Sequence, residues 1–323
     1  MAAEALTAGL ADEVKYTATI ARASGEVVQL NNGLAGVVQG LNARAIGDEV
    51  AVKTRGRATV AKTASINLLE GAQVFWDRSA NTATFERAAG DFYLGYAAKD
   101  SLAAATEVEV VLNEKPAYLI DFDGSPGGDV LWTEEATDGL GVTAATTQQP
   151  TTLSFDAVAE VAQAALFVAS AEHKIQIADG FIAEFDIAIY NIGDDAALDI
   201  NIGVANGSHA TDADAITESV FFHLDGSALD ILAESDDGTT EVAATDTTVD
   251  AVDDTSMKLT IDARDPADVQ LYIDAVNVLP ASVFKINAAT GPLFPIVHLE
   301  KTSNDTEADV RVKSIRVRTT DEA

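Results

Sequence analysis

Four histidines, His173, His209, His223 and His298, are the side chains best placed by intrinsic pKa to move a proton at neutral pH. Nucleophilic catalysis would need one of them held against a serine, threonine or cysteine, as in a Gly-x-Ser-x-Gly elbow. No such elbow occurs, there is no cysteine, and no His-Glu-x-x-His zinc motif is present. His209 lies in the loop-like stretch ANGSHATDADA, and His223 and His298 lie in strand-like runs, which reads them as ordinary loop and strand residues. Gly124-Ser125-Pro126-Gly127-Gly128 is glycine-rich, but prolines surround it and it does not open a helix as a phosphate loop would.

The remaining chemistry belongs to carboxylates. Fifty-two Asp and Glu face twenty Lys and Arg. Two carboxylates could serve a glycosidase, but with so many acids no pair stands out. Three oxygen-rich stretches could bind calcium: Asp121-Phe122-Asp123-Gly124, Ser235-Asp236-Asp237-Gly238 and Asp250–Asp254. None completes an EF-hand ligand run, and Asp/Gly turns account for all three, so no cofactor is assigned. Asn206-Gly207-Ser208 and Asn304-Asp305-Thr306 match the glycosylation pattern, but the acidic start of the chain does not read as a secretory signal.

The elements that would position such groups are strands. In GAQVFWDRSANTATF, Val74-Phe75-Trp76 runs into the turn formers Asp77–Asn81 and returns as Thr82–Phe85, a hairpin. Glu49–Thr54 and Ala58–Ala61 repeat this around Arg55-Gly56-Arg57, and Phe92–Ala97 and Thr106–Leu112 follow, with shorter runs at Gly25–Val28 and Leu34–Val38. Short strands at this spacing predict a small barrel or sandwich. Ala64–Leu69 is read as one helical turn. Residues 114–150, with Pro116, Pro126, Pro150 and many glycines, read as a linker.

Beyond it, Phe181–Tyr190 alternates over ten residues. Ile200–Val204, Ser219–Leu224, Leu229–Ala233, Met257–Ala263, Val269–Ile273, Phe294–Leu299 and Val310–Arg318 follow. Eight or more strands joined by Asp/Gly turns predict an antiparallel two-sheet sandwich. Asp156–Ser170 has helix formers and a candidate N-cap at Asp156, yet this context makes Val158–Val168 mostly strand. The fold class is therefore all-β: a small N-terminal barrel or sandwich followed by a larger antiparallel β-sandwich.

Charge divides the chain in the same place. Residues 1–113 carry a net −3 and residues 114–323 a net −29. A surface at −29 repels phosphate backbones and argues against a nucleic-acid partner. No run of eighteen apolar residues is present, so no membrane helix is expected. Absence of cysteine suits assembly in a reducing cytoplasm.

The run from Gly25 to Asn113 resembles the small capsid cement, or head decoration, proteins of tailed bacteriophages. The resemblance is carried by Gly33–Val38, Gly47–Gly56, Leu69–Asp77, Tyr93-Leu94-Gly95-Tyr96-Ala97 and Glu107–Leu112. The family's hairpin has Val-Tyr-Trp-Asp, a turn and Thr-x-Thr, then Gly-x-Ala; here Phe75 stands for the usual Tyr. The resemblance implies a β-rich domain on the outer face of an icosahedral head, tying major capsid subunits together, commonly as a homotrimer. Phe75, Trp76, Phe85 and Tyr93 are then candidates for core or interface. Residues 151–318 resemble a concanavalin-like, lectin-type jelly roll, through Phe181–Tyr190, Ile200–Val204, Val220–Asp225, Leu259–Tyr272 and Ile315–Arg318. Lectin-type folds often bind sugars on exposed aromatics beside Asp or Asn, which makes Tyr190 and Tyr272 candidate glycan contacts.

These readings give an arm at 1–24, a cement domain at 25–113, a linker at 114–150 and a jelly-roll domain at 151–323. They imply a non-enzymatic protein made in the host bacterial cytoplasm and carried on the virion, with the near-neutral domain toward the capsid. A carbohydrate-binding adhesin, with a host-surface glycan as partner, is the alternative.

Overall fold

The computed structural model describes residues 13–40, 42–124, 132–137, 140–143, 151–155, 159–168, 173–190, 198–209, 212–225, 230–305 and 307–320. Among them there is no α-helix, every pairing of strands is antiparallel, and two compact units divide at Ala117/Tyr118. The expected positions Asp156, Leu131, Ser125–Gly128, Leu229 and Thr306 lie outside the described residues.

The first unit has nine strands: β1 Glu13–Thr17, β2 Val27–Gln29, β3 Ala35–Val38, β4 Glu49–Lys53, β5 Arg57–Ala61, β6 Gln73–Asp77, β7 Thr82–Thr84, β8 Phe92–Ala97 and β9 Glu107–Leu112. They form a four-stranded sheet, β1-β4-β3-β2, and a five-stranded sheet, β5-β9-β8-β6-β7. Alternation sets which side chains go inward. Val50 and Val52 of β4 are buried with Val28, Val38 and Ala18, and in the other sheet Val74, Trp76, Phe92, Leu94, Val108 and Val110 are buried.

One residue straps the two sheets. Asn113, at positive φ just after β9, donates from Nδ2 to the carbonyls of Ala35 (2.8 Å) and Thr54 (2.7 Å) and accepts from the Ala35 amide (2.8 Å). Asn tolerates that left-handed backbone better than most residues. Lys62, 4% exposed, ties two connections of the five-stranded sheet together: its ammonium donates to the carbonyls of Ile66, Ser101 and Leu102. Burial pushes its pKa down.

Two segments differ from the sequence reading. Glu13–Thr17, counted with the N-terminal arm, is a full strand paired with β4 from Glu13↔Lys53 to Thr17↔Glu49. The Ala64–Leu69 stretch is a turn rather than a helical one, with Ser65 at positive φ and Leu68 bridging to Ser101.

The second unit continues with β10 Ile120–Phe122, β11 Trp132–Thr137, β12 Leu140–Thr143, β13 Thr151–Phe155, β14 Glu160–Val168, β15 Phe181–Tyr190, β16 Leu198–Ala205, β17 Glu218–Asp225 and β18 Asp230–Asp237. It ends with β19 Glu241–Asp250, β20 Thr255–Asp262, β21 Gln270–Ile273, β22 Val276–Asn277, β23 Phe294–Asn304 and β24 Ala308–Thr319. An eight-stranded sheet runs β12-β13-β24-β15-β20-β21-β22, with β10 also paired to β24. A seven-stranded sheet runs β11-β14-β23-β16-β17-β18-β19. Thus β10, β11 and β12, placed in the linker by the sequence reading, belong to the sandwich. The helix formers of Ala162–Leu166 form strand β14, because pairing with β11 and β23 outweighs local preference.

The core lies between the sheets. Phe185, Ile187, Leu259 and Ile315 from one meet Ile200, Ile202, Phe222 and Leu299 from the other, all essentially without exposure. Across the outer face of the eight-stranded sheet, Glu184 of β15 pairs with Arg318 of β24 at 2.6 Å. Burial opposes a charged Glu184, but Arg318, Lys258 and Arg316 outweigh it and hold the carboxyl below its ordinary range.

Candidate functional sites

In the first unit, the β6–β7 hairpin sorts the four aromatic candidates by face. Trp76 points inward and is 6% exposed. Phe75, its neighbour, points outward and stands half-buried, edge-on to Tyr93 of β8 with centroids 5.7 Å apart. Phe85 is also half-buried. The Tyr93 hydroxyl donates to the Glu114 carbonyl at 2.6 Å, so the chain leaving β9 is tied beside this aromatic stripe. Trp76 is therefore core, and Phe75 and Tyr93 line the partly exposed face.

On the inner side, Trp76 and Phe92 help line a groove with Ile20, Arg22, Gln29, Arg78 and Asn81. Arg78 lies over the Phe92 ring and bonds Gln29, and Arg22 pairs with Glu26. The Gly-x-Ala signal has a steric cause here. Gly95 sits at φ +148, and a Cβ there would land on the Val111 carbonyl oxygen of the paired strand; Ala97 has no exposure.

In the second unit, chemistry gathers on the outer face of the seven-stranded sheet. Alternation sends Ile200 and Ile202 of β16 to the core and Asp199 and Asn201 to the opposite face. Asn201 stands directly between His298 of β23 and His223 of β17, and Asp199 stands beside Glu300. The segment that follows β16 folds back over this face. Ala213 and Ile216 pack on Phe167, Phe221 and Ile296, which brings Asp214 and the His209 carbonyl onto the polar end.

His223 is the centre of charge. Its Nε2 lies 3.0 Å from Asp199 Oδ1, and its Nδ1 lies 3.5 Å from Asp214 and 3.8 Å from Glu234. Burial alone would lower its pKa, but Asp199, Glu234 and Asp214 lift it to about 11. Burial and the charge of Glu234 push Asp214 up to about 7 against the pull of His223. Burial, then Asp199, Asp212 and Asp214, push Glu300 up to about 8. His298 is the opposite case: burial pushes it down, so it is held neutral. Its Nε2 faces two acceptors, Gln163 Oε1 at 3.1 Å and the His209 carbonyl at 3.3 Å, which places the proton on that nitrogen. Among the described residues no hydroxyl is bonded to His223 or His298.

The sequence reading singled out all four histidines and assembled none of them. Three meet here; His173 stands apart in sequence, two residues before the Ile175–Leu293 bridge. The two glycan candidates differ in access: Tyr190 is half-buried and Tyr272 is buried. Tyr272 is 6% exposed, and one face of the Tyr190 ring carries the Arg311 guanidinium at 3.3 Å. Carboxylates in all three proposed calcium stretches have partners within the protein, Asp254 with the Tyr190 hydroxyl among them. Asp121 accepts from Arg316 at 3.0 Å, Asp236 from the Gly238 amide at 2.8 Å, and Asp237 from the Thr239 and Thr240 amides. Asp254 takes a left-handed turn position. No helix among the described residues is long and apolar enough to cross a membrane.

Residues 8–112 match the family model of phage cement proteins. The match covers the described strands of the first unit, β1 included. No curated protein sequence matches the chain. Among solved structures, the potassium-bound carbohydrate recognition domain of Emp46p is similar at 12% identity and TM-score 0.39, over 58% of this chain and 87% of that one. A chain from work on endo-acting O-glycanases of the human gut microbiota is similar at 10% identity and TM-score 0.44, over 64% and 100%. The binding domain of botulinum neurotoxin DC, solved with rat synaptotagmin II, is similar at 8% identity and TM-score 0.40, over 62% and 47%. Likeness at this level says nothing about what the chain binds.

Proposed function

We propose that this chain, whose first unit is similar to the phage cement proteins over residues 8–112, is a head decoration protein of a tailed bacteriophage. The observation that supports this is the coincidence of that match with a compact unit ending at Ala117. The first unit docks on the outer surface of the shell and strengthens contacts between major capsid subunits. The mechanism is added interface area, without a reactive centre. Modest contacts, repeated by a trimer on a symmetric lattice, sum to a firm hold.

Charge supports the orientation. A net −3 on residues 1–113 leaves docking nearly free of long-range repulsion, whereas the −29 on residues 114–323 favours solvent. The acidic sandwich therefore faces outward and keeps particles apart.

The test is sedimentation of the purified chain with and without heads that lack it. Decoration predicts saturable co-sedimentation, a solution mass three times the 33.7 kDa chain, and heads that release DNA at a higher temperature when coated. Binding to glycans with no affinity for heads would overturn the proposal.

A further inference from the structure

The first unit holds a groove walled by the margins of its two sheets. We infer that this groove takes an extended segment of the shell protein, which adds to β2 as one more strand. The inference rests on the decoration reading and names the surface that does the docking.

β2 is the last strand of the four-stranded sheet and β5 the first of the five-stranded one, so each has a side with no strand partner among the described residues. The Lys62–Ala83 bridge lies past the end of β5 and leaves Thr59 and Ala61 exposed. Val27 lines the groove from one sheet, Thr59, Val60 and Ala61 line it from the other, and Trp76 lines it as well. Val27 and Trp76 also belong to the neighbouring groove that Ile20 and Phe92 line, so the two are continuous.

Pairing sets which way the main chain points. The Leu30 amide donates to the Leu34 carbonyl, and the Val38 amide donates to the Glu26 carbonyl. Residues of even number therefore bond β3, and Val27 and Gln29 turn their N–H and C=O groups away from it. On β5, the Leu112 amide donates to the Gly56 carbonyl and the Lys62 amide to the Thr106 carbonyl. The same parity follows, and Thr59 and Ala61 point their main-chain groups away from β9. An open margin is normally blunted by a charge, a proline or a bulge. β2 is Val-Val-Gln in unbroken register with β3, and it has none of the three.

Free main-chain groups over an apolar lining suit a strand with small or apolar side chains. Charge adds no demand, because Arg22 is paired with Glu26, and Arg78 lies over Phe92 and bonds Gln29. Ile20, at the rim, is 54% exposed, an aliphatic side chain that the free chain leaves in water. The shell is the source that fits. Both walls lie within residues 8–112, the part that matches the cement family. A second copy offering its own β2 would pair about a two-fold axis, and such a contact makes dimers instead of the proposed trimer.

Hydrogen exchange on the full chain, free and bound to heads that lack it, reads these main-chain groups directly. The amides of Val27 and Gln29 should exchange quickly in the free chain and at least about tenfold more slowly on the head. Val27→Pro removes the donor aimed into the groove and spares the bonds to β3, a position where an edge strand accepts proline. It should keep its circular dichroism and lose head affinity at least about tenfold, whereas Val27→Thr, which keeps the amide, should bind as the wild type does. A wild-type chain that binds heads with no slowing at Val27 and Gln29 would overturn this inference and leave the decoration reading standing. A wild-type chain with no affinity for heads would overturn both. Slowing at these amides as the free chain is concentrated would give the groove to a second copy and also overturn it. If Val27→Pro fails to fold, exchange on the wild type still decides.

Discussion

At the scale of single residues, the first unit depends on a few polar side chains in structural posts. Asn113 makes three hydrogen bonds across the gap between two sheets while holding a left-handed backbone. Asn113→Ala should cost about 4–5 kcal/mol, combining three lost bonds at roughly 1 kcal/mol each with a left-handed penalty of about 1–2 kcal/mol. Chemical denaturation followed by circular dichroism reads this directly; a change below about 0.5 kcal/mol would mean the strap is idle. Sequence inspection gave no reason to choose Asn113 over any other asparagine. Its role depends on a partner, Ala35, that lies 78 residues away. Trp76 and Phe75 were both legible as strand aromatics, but which one faces the core follows from register, and register is a property of the paired strands.

At the scale of elements, the eight-stranded sheet carries a pH-sensitive contact in the Glu184–Arg318 pair. The carboxyl of Glu184 is depressed in the folded chain. Such a group stabilises the fold fully above its ordinary, unfolded value, and the contribution disappears as pH falls through the lowered folded value. Wild-type stability should therefore decline on the acid side of about pH 4 partly through this pair. Glu184→Gln should flatten that acid limb. At neutral pH it should cost about 1.5–3 kcal/mol, the loss of one charged hydrogen bond to Arg318. Melting temperatures across pH 3–7 for both proteins check the sign; parallel profiles would reject it.

Hairpins were the easiest elements to read, since alternation and turn residues are local. β1 was missed because Glu13–Thr17 is an edge strand, half-exposed throughout, and its polar alternation looks like a solvated tail. β14 was recoverable only from context, because Ala-rich sequence suits either state until neighbours exist to pair with it. The polar cluster around His223 was invisible for a related reason. Its members come from four strands and a turn spread over residues 199–300, and nothing but sheet order brings them to one face. The one local trace was the pair Asp199 and Asn201, polar residues alternating inside an apolar run.

At the scale of the whole molecule, charge is the dominant property. With a sequence pI near 4.1, the repulsion between copies fades as pH approaches that value. Particles coated with this protein should stay dispersed at pH 7 and cluster between about pH 4 and 5, as light scattering would report. Docking itself should respond only weakly to salt, because the unit proposed to touch the shell is close to neutral.

β19 has a consequence for that crowded surface. It forms the free margin of the seven-stranded sheet, ten residues long, mostly exposed, with two breaks in its register against β18 and with Glu241, Asp246 and Asp250 along it. An open margin of this length would ordinarily invite another chain to zip on. Kinked and negatively charged, it turns identical neighbours away, so copies crowded side by side, as on the proposed coat, stay separate knobs instead of fusing into a continuous fabric.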